Sequence, residues 1–343
     1  MIIYPEKLNR DKIIGITAPS DTANLDTIDY SKKNIEDMGY TVIETDNVRK
    51  SEGLVSSSGK TRADEFVSLW KSENVGHIIS ARGGEFLIEM IPFLDKYEDI
   101  IKGCNPKWVK GYSDTSLLLY YLTTKYNIAT VHAENLGGYS VNKDNIDTNI
   151  KDVVKLLENC DKEYKFIQNS FEKYQLERYE NEEDERIKGY NLTEDVKYKS
   201  LHGLENVSFS GRMLGGCVDV ITQLIGTKYD KTSEYIDSCE EGAIWYIDNC
   251  ELTPQELYRR LWLMKEVGWF KNVNGFLIGR TFMKDGEYFT FKEAIERALS
   301  DLDVPVIYDV DIGHVPPQFV IINGSYATFE YNNGKGKLIQ KLI

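Results

Sequence analysis

Paired cysteines are missing from this chain. Its five, Cys104, Cys160, Cys217, Cys239 and Cys250, are scattered with no C-x-x-C spacing. An odd, dispersed set reads as free thiols in a reducing compartment. Histidine is scarce, with four in 343 residues, and neither H-x-x-x-H nor clustered His/Cys spacing occurs. No metal or other cofactor is therefore expected. Basic excess is absent too. The formal charge is −14, which argues against a nucleic-acid partner, because that needs a cationic stripe. The longest apolar run, Leu117 to Leu122, is far short of the ~20 residues that cross a bilayer. Met1 to Glu6 has neither the basic start nor the apolar stretch of a secretion signal. The expectation is a soluble, cytoplasmic protein with no membrane partner.

What is present is ordinary globular material, 41% hydrophobic and 28% charged, in a length suited to about two domains. Lys12-Ile13-Ile14-Gly15-Ile16-Thr17-Ala18-Pro19-Ser20 reads as a buried first strand ended by turn residues. Thr41-Val42-Ile43, Gly76-His77-Ile78-Ile79-Ser80, the run up to Trp108-Val109 and Ala129-Thr130-Val131 continue the strands. Helical stretches fall between them, including one with Ala63, Phe66, Val67 and Trp70 on one face. The alternation predicts an α/β, doubly wound parallel sheet, with ligands at the carboxyl ends of its strands.

Residues 1–140 are assigned to that N-terminal domain and 141–205 to a linker. The linker holds an amphipathic helix (Ile150, Val153, Val154, Leu157) and a charged, solvated connection that includes Glu180 to Glu185. Residues 206–343 form a smaller, β-rich C-terminal domain with a few helices. There, Thr253-Pro254-Gln255-Glu256 starts a helix with a capping box and a proline at its first position. Asn332-Asn333-Gly334 marks a hairpin turn.

The most informative stretch is Val109-Lys110-Gly111-Tyr112-Ser113-Asp114-Thr115-Ser116, a strand that bends at a serine and runs directly into an apolar helix. Such a bend exposes its residue at the sheet edge beside free helix N–H groups, the geometry of an acyl-transfer nucleophile. The competing reading is a plain helix cap. Thr115 stands where a G-x-S-x-G elbow has its second glycine. His314, between Gly313 and Val315-Pro316-Pro317, sits in a loop stiff enough to orient a base, or is simply structural. Asp248, at the end of Ala243 to Ile247, is either an acid or a turn cap. His77 reads as a core residue and His132 as a pocket-edge residue. Cys217 and Cys250 are read as having no neighbouring histidine to activate a thiolate, and so as poor nucleophiles.

Together these loops offer Ser113, Asp248 and His314 in that order. In triad logic, the imidazole takes the serine proton and the carboxylate holds its tautomer. Backbone N–H groups near Ser113, from Asp114 and a glycine of Arg82-Gly83-Gly84, would form the oxyanion hole.

The motifs Gly15-Ile16-Thr17-Ala18-Pro19-Ser20, Ala81-Arg82-Gly83-Gly84, Gly111-Tyr112-Ser113-Asp114, Leu214-Gly215-Gly216 and Gly313-His314 resemble, as an ordered set, the serine peptidases comprising LD-carboxypeptidases and microcin C immunity peptidases. The resemblance implies an N-terminal α/β domain carrying the nucleophile Ser113 and a β-rich domain carrying the base His314 and the acid. It further implies Gly84 and Asp114 as oxyanion donors, no metal, and a homodimer. One departure stands out: the family usually has glutamate where this chain has Asp248, whose carboxylate falls about 1.5 Å shorter. On this resemblance the expected substrate is a small peptide with a free carboxylate, read by Arg82 and Gly83. That is the L,D bond of a murein tetrapeptide, with a peptidyl-nucleotide amide or a catalytically impaired binding protein as alternatives.

Overall fold

A computed structural model describes residues 1–140, 148–161, 164–177 and 189–343. The expected acidic run Glu180 to Glu185 lies outside these residues. Five strands, β1 (Ile13–Thr17), β2 (Thr41–Glu44), β3 (Val75–Ser80), β4 (Trp108–Gly111) and β5 (Thr130–His132), form a parallel sheet in the order β5-β4-β3-β1-β2. Helices α1 (Leu25–Asp37) and α2 (Gly59–Lys71) connect its first strands, followed by α3 (Ile91–Leu94), α4 (Glu98–Gly103) and α5 (Ser116–Tyr126). The strand order reverses direction between β1 and β3, and the crevice of such a sheet opens there, outside the carboxyl ends of the strands. Ala63, Phe66, Val67 and Trp70 of α2 are all buried, as their spacing predicts.

The chain continues through β6 (Lys165–Asn169), β7 (Lys173–Tyr174), β8 (Glu194–Asp195), β9 (Lys199–Ser200), β10 (Asn206–Cys217), β11 (Ala243–Asp248), β12 (Val273–Gly279), β13 (Val306–Val310), β14 (Ile321–Asn323), β15 (Tyr326–Asn332) and β16 (Lys335–Lys341). The second sheet runs β6-β16-β15-β10-β11-β12-β13-β9. Its centre, β10 to β13, is parallel, and its flanks are antiparallel. The helix at Pro254–Glu266 carries the anticipated Thr253/Glu256 capping box. The hairpin between β15 and β16 turns through Asn333 and Gly334, both at positive φ, as its turn chemistry requires.

Two connections differ from expectation. The stretch 165–169, read as part of a solvated linker, is an edge strand of the second sheet. Its Phe166 and Gln168 are buried, and the Gln168 amide bonds the Val320 backbone in both directions. In addition, β14 leaves the C-terminal half and pairs antiparallel with β5, covering the edge of the first sheet.

The junction between the halves is apolar. Leu117 to Leu122 are buried on every face of α5, which packs into one core with Leu214, Val218, Trp245 and Trp269. A helix that is hydrophobic all round belongs inside a larger protein, and this one is walled by both sheets. A buried polar tie crosses the junction as well: the hydroxyls of Tyr120 and Thr232 are 2.8 Å apart.

Candidate active site

Ser113 follows β4 and sits at φ +60°, a left-handed conformation that is costly for a side-chain-bearing residue. Two buried hydrogen-bond sets hold it there. The Asp114 carboxylate accepts the Ser20 hydroxyl from the loop after β1 and the Leu87 N–H (2.9 Å) from the segment after β3. The Thr115 hydroxyl meets Ser80 at 2.8 Å. Three strand-end loops are thereby buckled around the serine. Burial pushes the Asp114 carboxyl up, against the hydrogen bonds that pull it down. Gly83 packs directly on the Ser113 turn, since a Cβ there would lie 2.8 Å from both Ser113 Cβ and Oγ and 3.5 Å from the Asp114 nitrogen. Gly84 faces the other way, toward Ser20 and Asp21. Arg82 is exposed at the same rim.

The second lobe delivers the remaining residues. Asp248 ends β11 and is fully buried; its Oδ1 and Oδ2 lie 3.0 and 2.9 Å from His314 Nδ1. Gly313 makes this possible. It sits at φ +85°, and a Cβ on it would fall 1.9 Å from Asp248 Oδ1. The imidazole of His314 packs on Tyr112, the residue before Ser113, with ring centroids 4.9 Å apart. Thus the structure brings Ser113, Asp248 and His314 to one place where the lobes meet, together with Gly83, Gly84 and Asp114. Glu251, the other acid near this strand end, is exposed, and its N–H donates to Asp219.

Electrostatics couple the pair. Burial works to raise the Asp248 carboxyl, but the charge and hydrogen bond of His314 outweigh it and leave the group below the usual carboxylate range, with His132 adding to the effect. Burial works to lower His314. The Asp248 charge and hydrogen bond, supported by the Cys250 thiol, hold it well above an ordinary imidazole. His132 is buried against Tyr246 at 5.2 Å, and burial lowers it to about 4, so it is neutral at physiological pH. His77 is a core residue with Nδ1 2.9 Å from the Trp108 carbonyl.

One expectation is corrected. Cys217 and Cys250 do have a histidine beside them, namely His314. Sequence spacing hides this, because Cys217 reaches the site as the register partner of Asp248 between β10 and β11. The Cys217 thiol is nevertheless pushed well up, by burial first and then by the Asp248 and Asp219 charges, so it is no thiolate nucleophile. Ser20 and Tyr112 were also missed as members of the site, although both lie inside motifs singled out from the sequence.

A cavity of about 490 Å³ opens beside the pair, bordered by Asn249 and Val315, the neighbours of Asp248 and His314. Tyr174, Phe282 and Tyr308 supply aromatic wall, and the charged lining is mixed: Lys197, Lys199 and Arg280 stand among Asp195, Asp285 and Asp309, with Lys199 ion-paired to Asp309 at 2.7 Å. Arg280 is ion-paired with the buried Asp311 and lies 4.6 Å over the Tyr174 ring.

The two lobes match, in order, the LD-carboxypeptidase N-terminal domain (residues 14–133) and the LD-carboxypeptidase C-terminal domain (residues 210–329). This chain belongs to the LD-carboxypeptidase family. It is similar to the microcin C7 self-immunity protein MccF of Escherichia coli, 24% identical over 304 residues covering 86% of this chain and 83% of that protein. Among solved structures, a variant of MccF in complex with adenosine monophosphate superposes with a TM-score of 0.83 at 21% identity over 99% of both chains. An MccF-like protein from Bacillus anthracis gives 0.80 at 19% identity, covering 99% of this chain and 100% of that one.

Proposed function

We propose that this protein is a serine hydrolase that cleaves an amide bond of a small acidic peptide or peptide conjugate through an acyl-enzyme. The observation that carries the reading is the buried Asp248–His314 contact packed against the Tyr112–Ser113 turn. Ser113 Oγ attacks the carbonyl carbon while His314 Nε2 takes its proton; Asp248 keeps the other imidazole proton on Nδ1 and balances the imidazolium. The Gly84 and Asp114 N–H groups receive the oxyanion. The imidazolium then protonates the leaving nitrogen, and a water activated by the same nitrogen releases the acid.

For the substrate, two readings remain from the sequence. The L,D bond of a murein tetrapeptide needs only a cation for its terminal carboxylate, a role for Arg82. An aminoacyl or peptidyl nucleotide needs, in addition, aromatic surface for a base and positive charge for a phosphate-like group. The aromatic wall of the cavity beside His314, with Tyr174, Phe282 and Tyr308, favours this second reading, and Lys197 is a cation of that wall placed to meet a phosphate-like group. An MccF structure of the same fold is named as a complex with aspartyl sulfamoyl adenosine, and another as a complex with adenosine monophosphate.

The test is a mass-spectrometric assay offering tetrapeptide and an aminoacyl sulfamoyl adenosine side by side. Release of product from either by the wild type, and from neither by Ser113→Ala of unchanged melting temperature, is the expected result. Equal turnover by the two proteins would end the proposal. The preferred substrate then assigns the class.

A further inference from the structure

We infer that Cys217, Asp248 and His314 form a binding site for one soft divalent cation of the zinc type, and that occupancy switches the acid–base pair off. One ligand atom from each lies within 4.8 Å of the others. A tetrahedral zinc, with bonds of about 2.3 Å to sulfur and about 2.0–2.2 Å to nitrogen or oxygen, holds its ligands roughly 3.3–3.6 Å apart. Modest inward movement of the thiol, and a widening of the 2.9 Å Asp248–His314 contact by a few tenths of an ångström, would complete it.

A second observation points the same way. Asp248 Oδ2 is wholly buried and accepts no hydrogen bond, although it lies beside His314 Nδ1. Thiolate plus imidazole is a soft donor set that selects zinc or cobalt over magnesium or calcium. Its charges also suit burial: one thiolate and one carboxylate cancel a dication exactly once, leaving a neutral complex with a neutral imidazole.

The proton balance explains the inhibition. Binding releases the Cys217 thiol proton to solvent, and the metal takes the lone pair at His314 Nδ1. The single imidazole proton must then reside on Nε2. That is the nitrogen that has to be bare to accept the Ser113 proton, so the occupied site has no base. Sequence spacing gives no hint of such a site. Cys217 and Asp248 meet through strand register, and His314 arrives 66 residues after Asp248.

The binding claim stands apart from the hydrolase reading and is tested without substrate. The full chain, stripped with chelator, is titrated with cobalt(II) and then with zinc in competition. One equivalent is expected, with a thiolate-to-cobalt charge-transfer band and release of protons into weak buffer. Cys217→Ser should abolish the band and weaken binding at least ten-fold, and Asp248→Asn should weaken it similarly, whereas Cys250→Ser should keep the band. A wild type with no such band at stoichiometric cobalt overturns the proposal even if a variant fails to fold. So does a band that survives Cys217→Ser or leaves with Cys250→Ser.

Discussion

Asp248 reaches His314 Nδ1 at 2.9 to 3.0 Å even though it is one methylene shorter than the glutamate expected there from the sequence resemblance. The gap anticipated from the shorter side chain is closed by the backbone. Gly313, at φ +85°, leaves the volume of its absent side chain to the carboxylate, so no bridging water is needed.

The site is therefore fitted to aspartate. Asp248→Glu is expected to lower activity, because the added methylene enters a fully buried position, at a cost of about 1–3 kcal/mol in stability. Urea denaturation and turnover of the two proteins check this. A gain in kcat/KM in the glutamate variant would show that the aspartate is a defect.

Asp248→Asn keeps the shape and removes the charge. A loss of kcat on the order of 10⁴ is expected from the wrong tautomer. The pH profile should move as well. Asp248 holds His314 above an ordinary imidazole, so kcat/KM of the wild type rises with pH on the alkaline side of the usual imidazole range, where the base loses its proton. Without the carboxylate that limb should shift toward acid. An unmoved limb would place the titration on another group.

Ser113 carries backbone strain, and its two simplest replacements separate strain from chemistry. Both Ser113→Ala and Ser113→Gly should be inactive. Only the glycine relieves the +60° φ, so it should be the more stable of the two by roughly 1 kcal/mol, against the usual order of these residues. Thermal unfolding of the pair decides it. An alanine variant as stable as the glycine would mean that the turn has relaxed.

Gly83→Ala tests the approach of the adjoining loop. Its Cβ would stand 2.8 Å from Ser113 Oγ, so kcat should fall at least a hundred-fold, as for misplacement of ~1 Å. A crystal structure or melting curve showing an intact fold would tie the loss to the nucleophile.

Lys110, fully buried on β4, donates to the Glu134 carbonyl at 2.6 Å and lies 4.4 Å over the Tyr139 ring. Burial lowers it to about 7, against about 10.4 in an unfolded chain. Between these values the unfolded chain binds more protons, so this residue makes stability rise with pH from about 7 to about 10.4, by up to about 1.4 kcal/mol per unit. Lys110→Met should flatten that rise. Denaturation of both proteins at the two ends of this window measures it, and parallel slopes would refute the assignment.

Much of this was readable where the chemistry is local. The Thr253/Glu256 capping box, the Asn333-Gly334 turn and the apolar face of α2 each follow from side chains within a few positions of one another. The strand at 165–169 was not readable. It buries a glutamine beside Phe166, satisfied by the distant Val320 backbone, and turns Ile167 outward at 49% exposure, so its hydrophobic alternation is broken. The serine, acid and imidazole were visible as strand-end residues. The left-handed turn at Ser113, the Ser20–Asp114 buckle and the thiol next to the acid depend on pairings across about a hundred residues or on sheet register, which no local pattern carries.

The helix that follows the Ser113 turn is also the keel of the molecule. With Leu117 to Leu122 packed into one core with residues of the second half, and β14 returning to seal the first sheet, the first half has no closed interior of its own. A polypeptide severed between 140 and 206 should yield pieces that aggregate alone and regain shape only when expressed together, so assembly of the cleft and completion of the fold are one event.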